Sequence, residues 1–395
     1  MIEPTVRFPE FKDSWNNYKI EDVFDRVGTP VDLDDTQTYR EIGIRSHGKG
    51  IFHKEETTAT EIGNKRVFWV EPDCFVVNIV FAWERAVAKT TEKENGMIAS
   101  HRFPMYKPKK DIVDLDYITE YFITKRGQNV LILASPGGAG RNKTLGQKEF
   151  AKSVVKLPSL PEQQKIAEFL STIDTVIEKQ KETVSAWEER KKGVMQKLFS
   201  QEVRFKADNG SDFPEWEEKT LGDIGTAKMC KRVLKEQTSE KGDVPFYKIG
   251  TFGGTPDAFI SRELYEELKT KYSFPRKGNI LLSAAGTIGR TVVYDGQDAF
   301  FQDSNIVWLD NDDSVLDGFL LQFYNKTSWD NLEGGTIKRL YNGLFLSKVI
   351  HVPSLPEQQK IADCLSSLDE VIEKQKATLA AWEELKKGLL QQMFV

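Results

Sequence analysis

Apolar positions follow two different rhythms along this chain. In two stretches they recur every three or four residues. The first runs Ile166, Leu170, Ile173, Ile177, Val184, Trp187, Val194 and Leu198; the second runs Ile361, Leu365, Leu368, Ile372, Leu379, Trp382, Leu389 and Met393. Adding Gln180/Gln375 and Lys191/Lys386 completes an unbroken 4,3 alternation, the seam of a coiled coil. Elsewhere the rhythm shortens to that of strands. Tyr39–Ile44 alternates, Tyr18–Ile20 is a short strand-like run, and Phe68–Val70 and Cys74–Phe81 suit buried strands. Tyr117–Ile123 and Arg262–Lys271 read as helices, the second amphipathic and solvated.

The two helical stretches are copies of one another. Pro158-Ser-Leu-Pro-Glu-Gln-Gln-Lys-Ile-Ala167 returns 195 residues later as Pro353–Ala362, and the match continues without a gap to Phe199/Phe394. Pro161 and Pro356 suit a first helical turn, and Ser159/Glu162 and Ser354/Glu357 have capping-box spacing. A rod from Glu162 to Phe199 would be about 57 Å long. Gln180 and Gln375 are either tolerated solvated residues or a pair that meets across the seam and fixes register.

The segments before each rod also echo one another, weakly but in matching order. Phe8-Pro-Glu-Phe11 is answered by Phe213-Pro-Glu-Trp216, Tyr39–Gly43 by Tyr247–Gly250, and Asp73–Asn78 by Gly278–Ser283. Gly334–Arg339 falls where Gly137–Asn142 did. The expected organisation is a globe at 1–157, a rod at 158–203, a globe at 204–352 and a rod at 353–395. The rods are predicted to pack antiparallel with approximate two-fold symmetry, because a parallel pair needs a return connection of rod length. Rods that stay alike while globes diverge suggest that the rods meet one kind of partner and the globes different ones.

Composition narrows the class. At 395 residues, 39% hydrophobic and 29% charged, the chain is large enough for two domains and ordinary for a globular protein. No apolar run approaches a membrane span, the first residues lack a signal-peptide layout, and a cytoplasmic location is expected. Cys74, Cys230 and Cys364 form no C-x-x-C pair, which argues against a disulfide framework or a zinc ribbon. The net charge of −5 offers no general attraction to nucleic acid, so such binding would rest on local patches.

Catalytic patterns are poor. Gly137–Thr144 approaches a P-loop but has Asn142 in place of its second glycine. Asp257, Glu267 and Lys269 imitate a nuclease pattern at a spacing that charged chains reach by chance. His47 and His53 lack a third metal ligand nearby. Binding loops are better represented. The first globe offers Arg45, Ser46, His47, Lys49, His101, Arg102, Arg141 and Asn142. The second offers Lys248, Thr287, Arg290, Gln302, Asn305, Lys338 and Arg339. Arginine suits guanine and Asn or Gln suits adenine in the major groove; solvated turns with scattered charge are the plain alternative.

The doubled Leu-Pro-Ser-Leu-Pro-Glu-Gln-Gln-Lys-Ile-Ala, the Phe-Pro-Glu openings and Ser283-Ala-Ala-Gly-Thr-Ile-Gly-Arg290 resemble the specificity subunit of type I restriction-modification systems over the whole chain. The resemblance implies an α/β (α+β) fold with two target-recognition domains separated by two long helices packed as an antiparallel coiled coil. Each domain would read half of a bipartite site in double-stranded DNA, without catalysis by this chain. Two methyltransferase subunits would dock on the rods, at or near Ile166, Leu170, Ile173, Ile177, Gln180, Trp187, Ile361, Leu365, Leu368, Ile372, Gln375 and Trp382. Restriction/translocase subunits would join them, and S-adenosylmethionine, ATP and Mg²⁺ would belong to those partners. A helical scaffold that organises a complex without DNA is the alternative.

Overall fold

The computed structural model describes residues 4–137, 143–329 and 339–394. The chain forms two compact units. The first is Met1–Glu182 with Ala377–Val395, and the second is Thr183–Lys376. The first unit begins β1 (Asn16–Lys19), α1 (Ile20–Val23), β2 (Phe24–Val27), β3 (Thr29–Pro30), β4 (Thr38–Ile44), β5 (Ile51–Thr58) and α2 (Ala59–Ile62). It continues with β6 (Val67–Trp69), β7 (Phe75–Val77), β8 (Val87–Lys89), β9 (Ile98–Ser100) and β10 (Met105–Pro108). Helices α3 (Leu115–Ile123), α4 (Lys125–Leu133) and α5 (Gln147–Lys152) and strand β11 (Val154–Leu157) lead into the long helix α6 (Leu160–Phe199).

The second unit holds β12 (Glu217–Thr220), α7 (Leu221–Ile224), β13 (Gly225–Lys228), β14 (Val244–Tyr247), β15 (Phe259–Ile260) and α8 (Arg262–Lys271). Next come β16 (Ile280–Ser283), β17 (Thr291–Val293), β18 (Phe300–Phe301), β19 (Ile306–Asn311) and α9 (Asp317–Lys326). Then α10 (Asn342–Leu346) and β20 (Val349–Val352) precede the second long helix, α11 (Leu355–Met393).

The units repeat one another in topology. Each has a two-stranded sheet that pairs its first strand with the strand feeding its rod: β1-β11 in one, β12-β20 in the other. Each has a four-stranded sheet, β2-β10-β7-β8 and β13-β19-β16-β17, in matching order. The third sheets differ, β3-β6-β9-β4-β5 against β15-β14-β18, although each contains one parallel pair, β4 with β9 and β14 with β18. The Cys74–Phe81 run is a strand only at Phe75–Val77. Beyond it the Asn78 side chain accepts from Val80 N (3.1 Å) and turns the chain.

Local chemistry sets the helix ends. Asp114 caps α3 by accepting from Tyr117 N (2.9 Å), and Thr124 ends α3 and caps α4 by accepting from Gly127 N (3.2 Å). That corner is tight: a Cβ at Gly127 would lie 2.2 Å from Tyr121 O.

The repeated Pro-Glu-Gln-Gln stretch welds each globe to its rod. Glu162 and Glu357 are almost fully buried. Arg7 binds both carboxylate oxygens of Glu162 (2.7 and 2.8 Å), and Arg204 binds both of Glu357 (3.1 and 2.9 Å). The capping-box reading of these glutamates is corrected: their oxygens serve an arginine of the preceding arm, and Ser354 Oγ has no partner among the described residues. Gln163 and Gln358 are fully buried amides. Gln163 accepts from Asp114 N (3.0 Å) and donates to Ile112 O (2.9 Å) and Pro158 O (3.0 Å). Gln358 repeats this with Leu316 N (2.8 Å), Ser314 O (2.9 Å) and Pro353 O (2.8 Å).

Helices α6 and α11 run antiparallel. In the first unit Asp174 meets Lys386 (2.7 Å) and Lys181 meets Glu383 (3.9 Å). In the second, Lys191 meets Asp369 (2.6 Å) and Glu188 meets Lys376 (2.9 Å). Ile166, Leu170, Ile173, Ile177, Ile361, Leu365 and Ile372 are buried as the seam predicts, while Leu368 is half-buried. Phe394 lies 5.0 Å from Tyr117 in the first core, and Phe199 lies 5.4 Å from Phe319 in the second. Trp187 and Trp382 are only half-buried, so the expectation that they are packed seam residues is corrected; the Arg190 guanidinium lies over Trp187 at 5.2 Å.

Candidate nucleic-acid interface

Candidate residues follow the C-terminal ends of each parallel strand pair, β4/β9 in the first unit and β14/β18 in the second, where the 283–290 loop joins the antiparallel strands β16 and β17 instead. Parallel neighbours end on the same edge of a sheet, so this topology gathers loops that are far apart in sequence.

In the first unit, Arg45–Gly50 links β4 to β5. The turn is tied down from beneath. Ser46 Oγ donates to Glu84 (2.8 Å), while His47 N and Gly48 N donate to Glu84 O (2.7 Å) and Arg85 O (2.9 Å). His47 and Gly48 have φ of 64° and 66°, and a Cβ at Gly48 would lie 2.7 Å from Ile123, so glycine is required there. Arg45 stacks over Phe52 (4.8 Å) and donates to Ile51 O (3.2 Å). His47 and Lys49 project into solvent. His101 and Arg102, just past β9, are exposed and line a groove with Lys54, Lys65 and Glu41. Lys54 neutralises Glu41 at 2.6 Å. Sequence reasoning missed Lys54 and Lys65; the acidic neighbours Glu55 and Glu56 mask Lys54, although alternation along β5 could have separated them. Arg141 and Asn142 lie outside the described residues.

In the second unit, four loops converge. Gln302 Oε1 accepts from Ile249 N (2.9 Å), and Gln302 N donates to Tyr247 O (2.9 Å). Ser283 Oγ donates to Thr287 O (2.6 Å) and accepts from Arg290 N (2.8 Å), closing the 283–290 loop on itself. Gly286 and Gly289 have φ of 65° and 88°, and a Cβ at Gly289 would lie 2.2 Å from Trp329. Ala284 N donates to Asn305 O (2.7 Å), and Arg339 Nη2 donates to Ser304 O (2.8 Å). Lys248 pairs with Asp257 (2.8 Å). Lys248, Thr287, Arg290, Gln302, Asn305 and Arg339 thus belong to one cluster, while Lys338 lies outside the described residues.

The residues of the enzyme-like patterns are engaged differently. Asp257 holds Lys248, Glu267 holds Lys271 (2.9 Å), and Lys269 donates to Tyr265 (3.0 Å). His53 pairs with Glu94 at 2.8 Å. Burial opposes the charge on Glu94, but hydrogen bonds from His53 and Thr91 outweigh it and hold the carboxyl below its usual range. Burial pushes the Cys74 thiol up to about 11 and the Cys230 thiol to about 12, away from nucleophilic use. No His/Cys/Asp/Glu cluster suited to a metal occurs among the described residues. No helix among them is long and apolar enough to cross a membrane.

Known proteins share this organisation. The chain is similar over 150 residues, at 56% identity, to a Haemophilus influenzae protein provisionally named a type I restriction enzyme specificity subunit. That match spans 38% of this chain and 39% of the relative. A Methanocaldococcus jannaschii protein named the type I restriction enzyme MjaVIII specificity subunit is 26% identical over 273 residues, 62% of each chain. The crystal structure of a type I restriction-modification system S subunit from M. genitalium has a similar fold, with a TM-score of 0.57 at 16% identity over 100% of this chain and 99% of that one. A chain from a structural study of complex assembly and conformational transition in the type I R-M system also scores 0.57, at 18% identity over 98% of both chains. A family model described as the type I restriction modification DNA specificity domain matches residues 12–185 and again 214–381, so the chain belongs to that family.

Proposed function

We propose that this chain is the non-catalytic DNA specificity subunit of a type I restriction-modification enzyme, in which each globe reads one half of a bipartite duplex site. The carrying observation is the contrast between a repeated frame and unlike reading sheets: five strands in one unit, three in the other, on four-stranded sheets of the same order. A shared frame presents two surfaces in a common way, and unlike loops give them different specificities. Exposed cations at Lys49, Lys65 and Arg102 suit phosphate contacts despite the acidic total. The long helices would dock two methyltransferase subunits, which restriction/translocase subunits would join, in the cytoplasm. S-adenosylmethionine, ATP and Mg²⁺ would be bound by those subunits.

The test is an exchange of residues 1–157 for the corresponding block of a relative, in cells that hold the methyltransferase. Methylome sequencing is expected to show one half-site changed and the other retained. A change in both halves would defeat modular reading. Absence of sequence-selective duplex binding, at low and high salt alike, would leave the scaffold alternative.

A further inference from the structure

The clustered polar residues of the second unit do two different things. Arg290, Gln302 and Arg339 look like base readers by residue type, yet each commits one side-chain atom to backbone. Arg290 Nη1 donates to Phe252 O (2.7 Å), Gln302 Oε1 accepts from Ile249 N and Arg339 Nη2 donates to Ser304 O. Each bond joins two loops. Lys248 is occupied by Asp257. Two members differ. Thr287 is exposed at the tip of the closed 283–290 loop, and its carbonyl, not its hydroxyl, is what Ser283 holds. Asn305 is half-buried, and its backbone carbonyl is fixed by Ala284 N. Neither the Thr287 hydroxyl nor the Asn305 amide has a hydrogen-bond partner among the described residues.

An amide on a fixed backbone, with donor and acceptor unspent, is the group that pairs with the N6/N7 edge of adenine; a threonine methyl packs on the thymine methyl. Resting on the DNA-specificity reading above, we infer that Asn305 and Thr287 are the base-reading side chains of the second unit. They address neighbouring A·T pairs in the major groove, while Arg290, Gln302 and Arg339 are positioning residues that hold the loops carrying them. The closed loop and the glycine against Trp329 support this division, since a reader works best on a backbone that does not move.

The full chain is incubated with duplex DNA randomised over about 20 base pairs, and the bound fraction is sequenced. The parent should enrich a two-part consensus. Asn305→Ala should lower discrimination at one A·T pair of one half by about ten- to a hundredfold, leaving the other half intact. Asn305→Asp, close to isosteric, should turn that position towards cytosine, because a carboxylate accepts from the cytosine amino group. Thr287→Ala should weaken the adjacent pair. Arg290→Lys should lower melting temperature and total binding while leaving the consensus as it was. An unchanged consensus for both Asn305 variants, at parental melting temperature, overturns the assignment and leaves the specificity reading standing. A parent chain that enriches no consensus overturns that reading and the inference with it.

Discussion

Glu162 and Gln163 illustrate what a residue's identity leaves open. In a linear reading they are polar residues of a first helical turn, best placed facing water or the helix start. In the fold they are buried and fully engaged, one by Arg7 and the other by three backbone groups. Near-identity of the rods suggested a common partner, but at Pro-Glu-Gln-Gln the weld within each unit is sufficient reason. A related place has diverged. Glu120 of α3 lies in the first unit beside Lys386 (3.4 Å), which also holds Asp174; Gln322 of α9 lies in the second beside Asp369 (3.3 Å), which holds Lys191. Burial pushes the Glu120 carboxyl above its ordinary value, partly opposed by Lys386 and reinforced by Asp174. An acid with a raised folded pKa binds its proton more tightly in the folded state, so stability falls as pH rises through the carboxylate range. Glu120→Gln, which copies Gln322, should therefore raise the melting temperature at pH 8 and change it little at pH 4. Equal shifts at both pH values would show that ionisation of Glu120 is not the cause.

At the scale of elements, the two long helices were legible because a 4,3 rhythm cannot serve a strand. The strand positions were partly legible too, since alternation and β-branched residues mark Tyr39–Ile44 and Phe75–Val77. Their sheet orders were not, because pairing joins residues such as Glu41 and Ile98 that nothing local connects. The tryptophans misled for a different reason: a seam rhythm gives an angle round the helix, but burial also depends on what the facing helix presents at that level. Leu170 of α6 is fully buried against the first globe's core, whereas Trp187 is only half-buried. Leu170→Ala should cost about 2–5 kcal/mol, the range for a packed core position. Trp187→Ala should cost clearly less than the about 3–5 kcal/mol of a fully packed tryptophan. Denaturant melts of both variants check the ranking, and a larger loss at Trp187 would restore it to the seam.

For the whole molecule, the long helices belong to both units by sequence. α6 begins in the first and ends in the second, and α11 does the reverse. Each globe is fastened to the start of one helix by a buried glutamate and glutamine. It is also fastened to the end of the other, by Phe394 in the first unit and Phe199 in the second. If the globes read half-sites, helix length is then the variable that sets the unread gap between them. Seven residues keep the 3.5-residue seam in phase, whereas four would shift it. A heptad inserted after Thr183 in α6, with another after Thr378 in α11, adds about 10 Å to each helix. At about 3.4 Å per base pair this is roughly three base pairs. Methylome sequencing should find both half-sites unchanged and the gap longer by about that amount. An active variant with the parental gap would show that the helices do not set the spacing; altered half-sites would show that the reading loops depend on the rods as well as on their own ties.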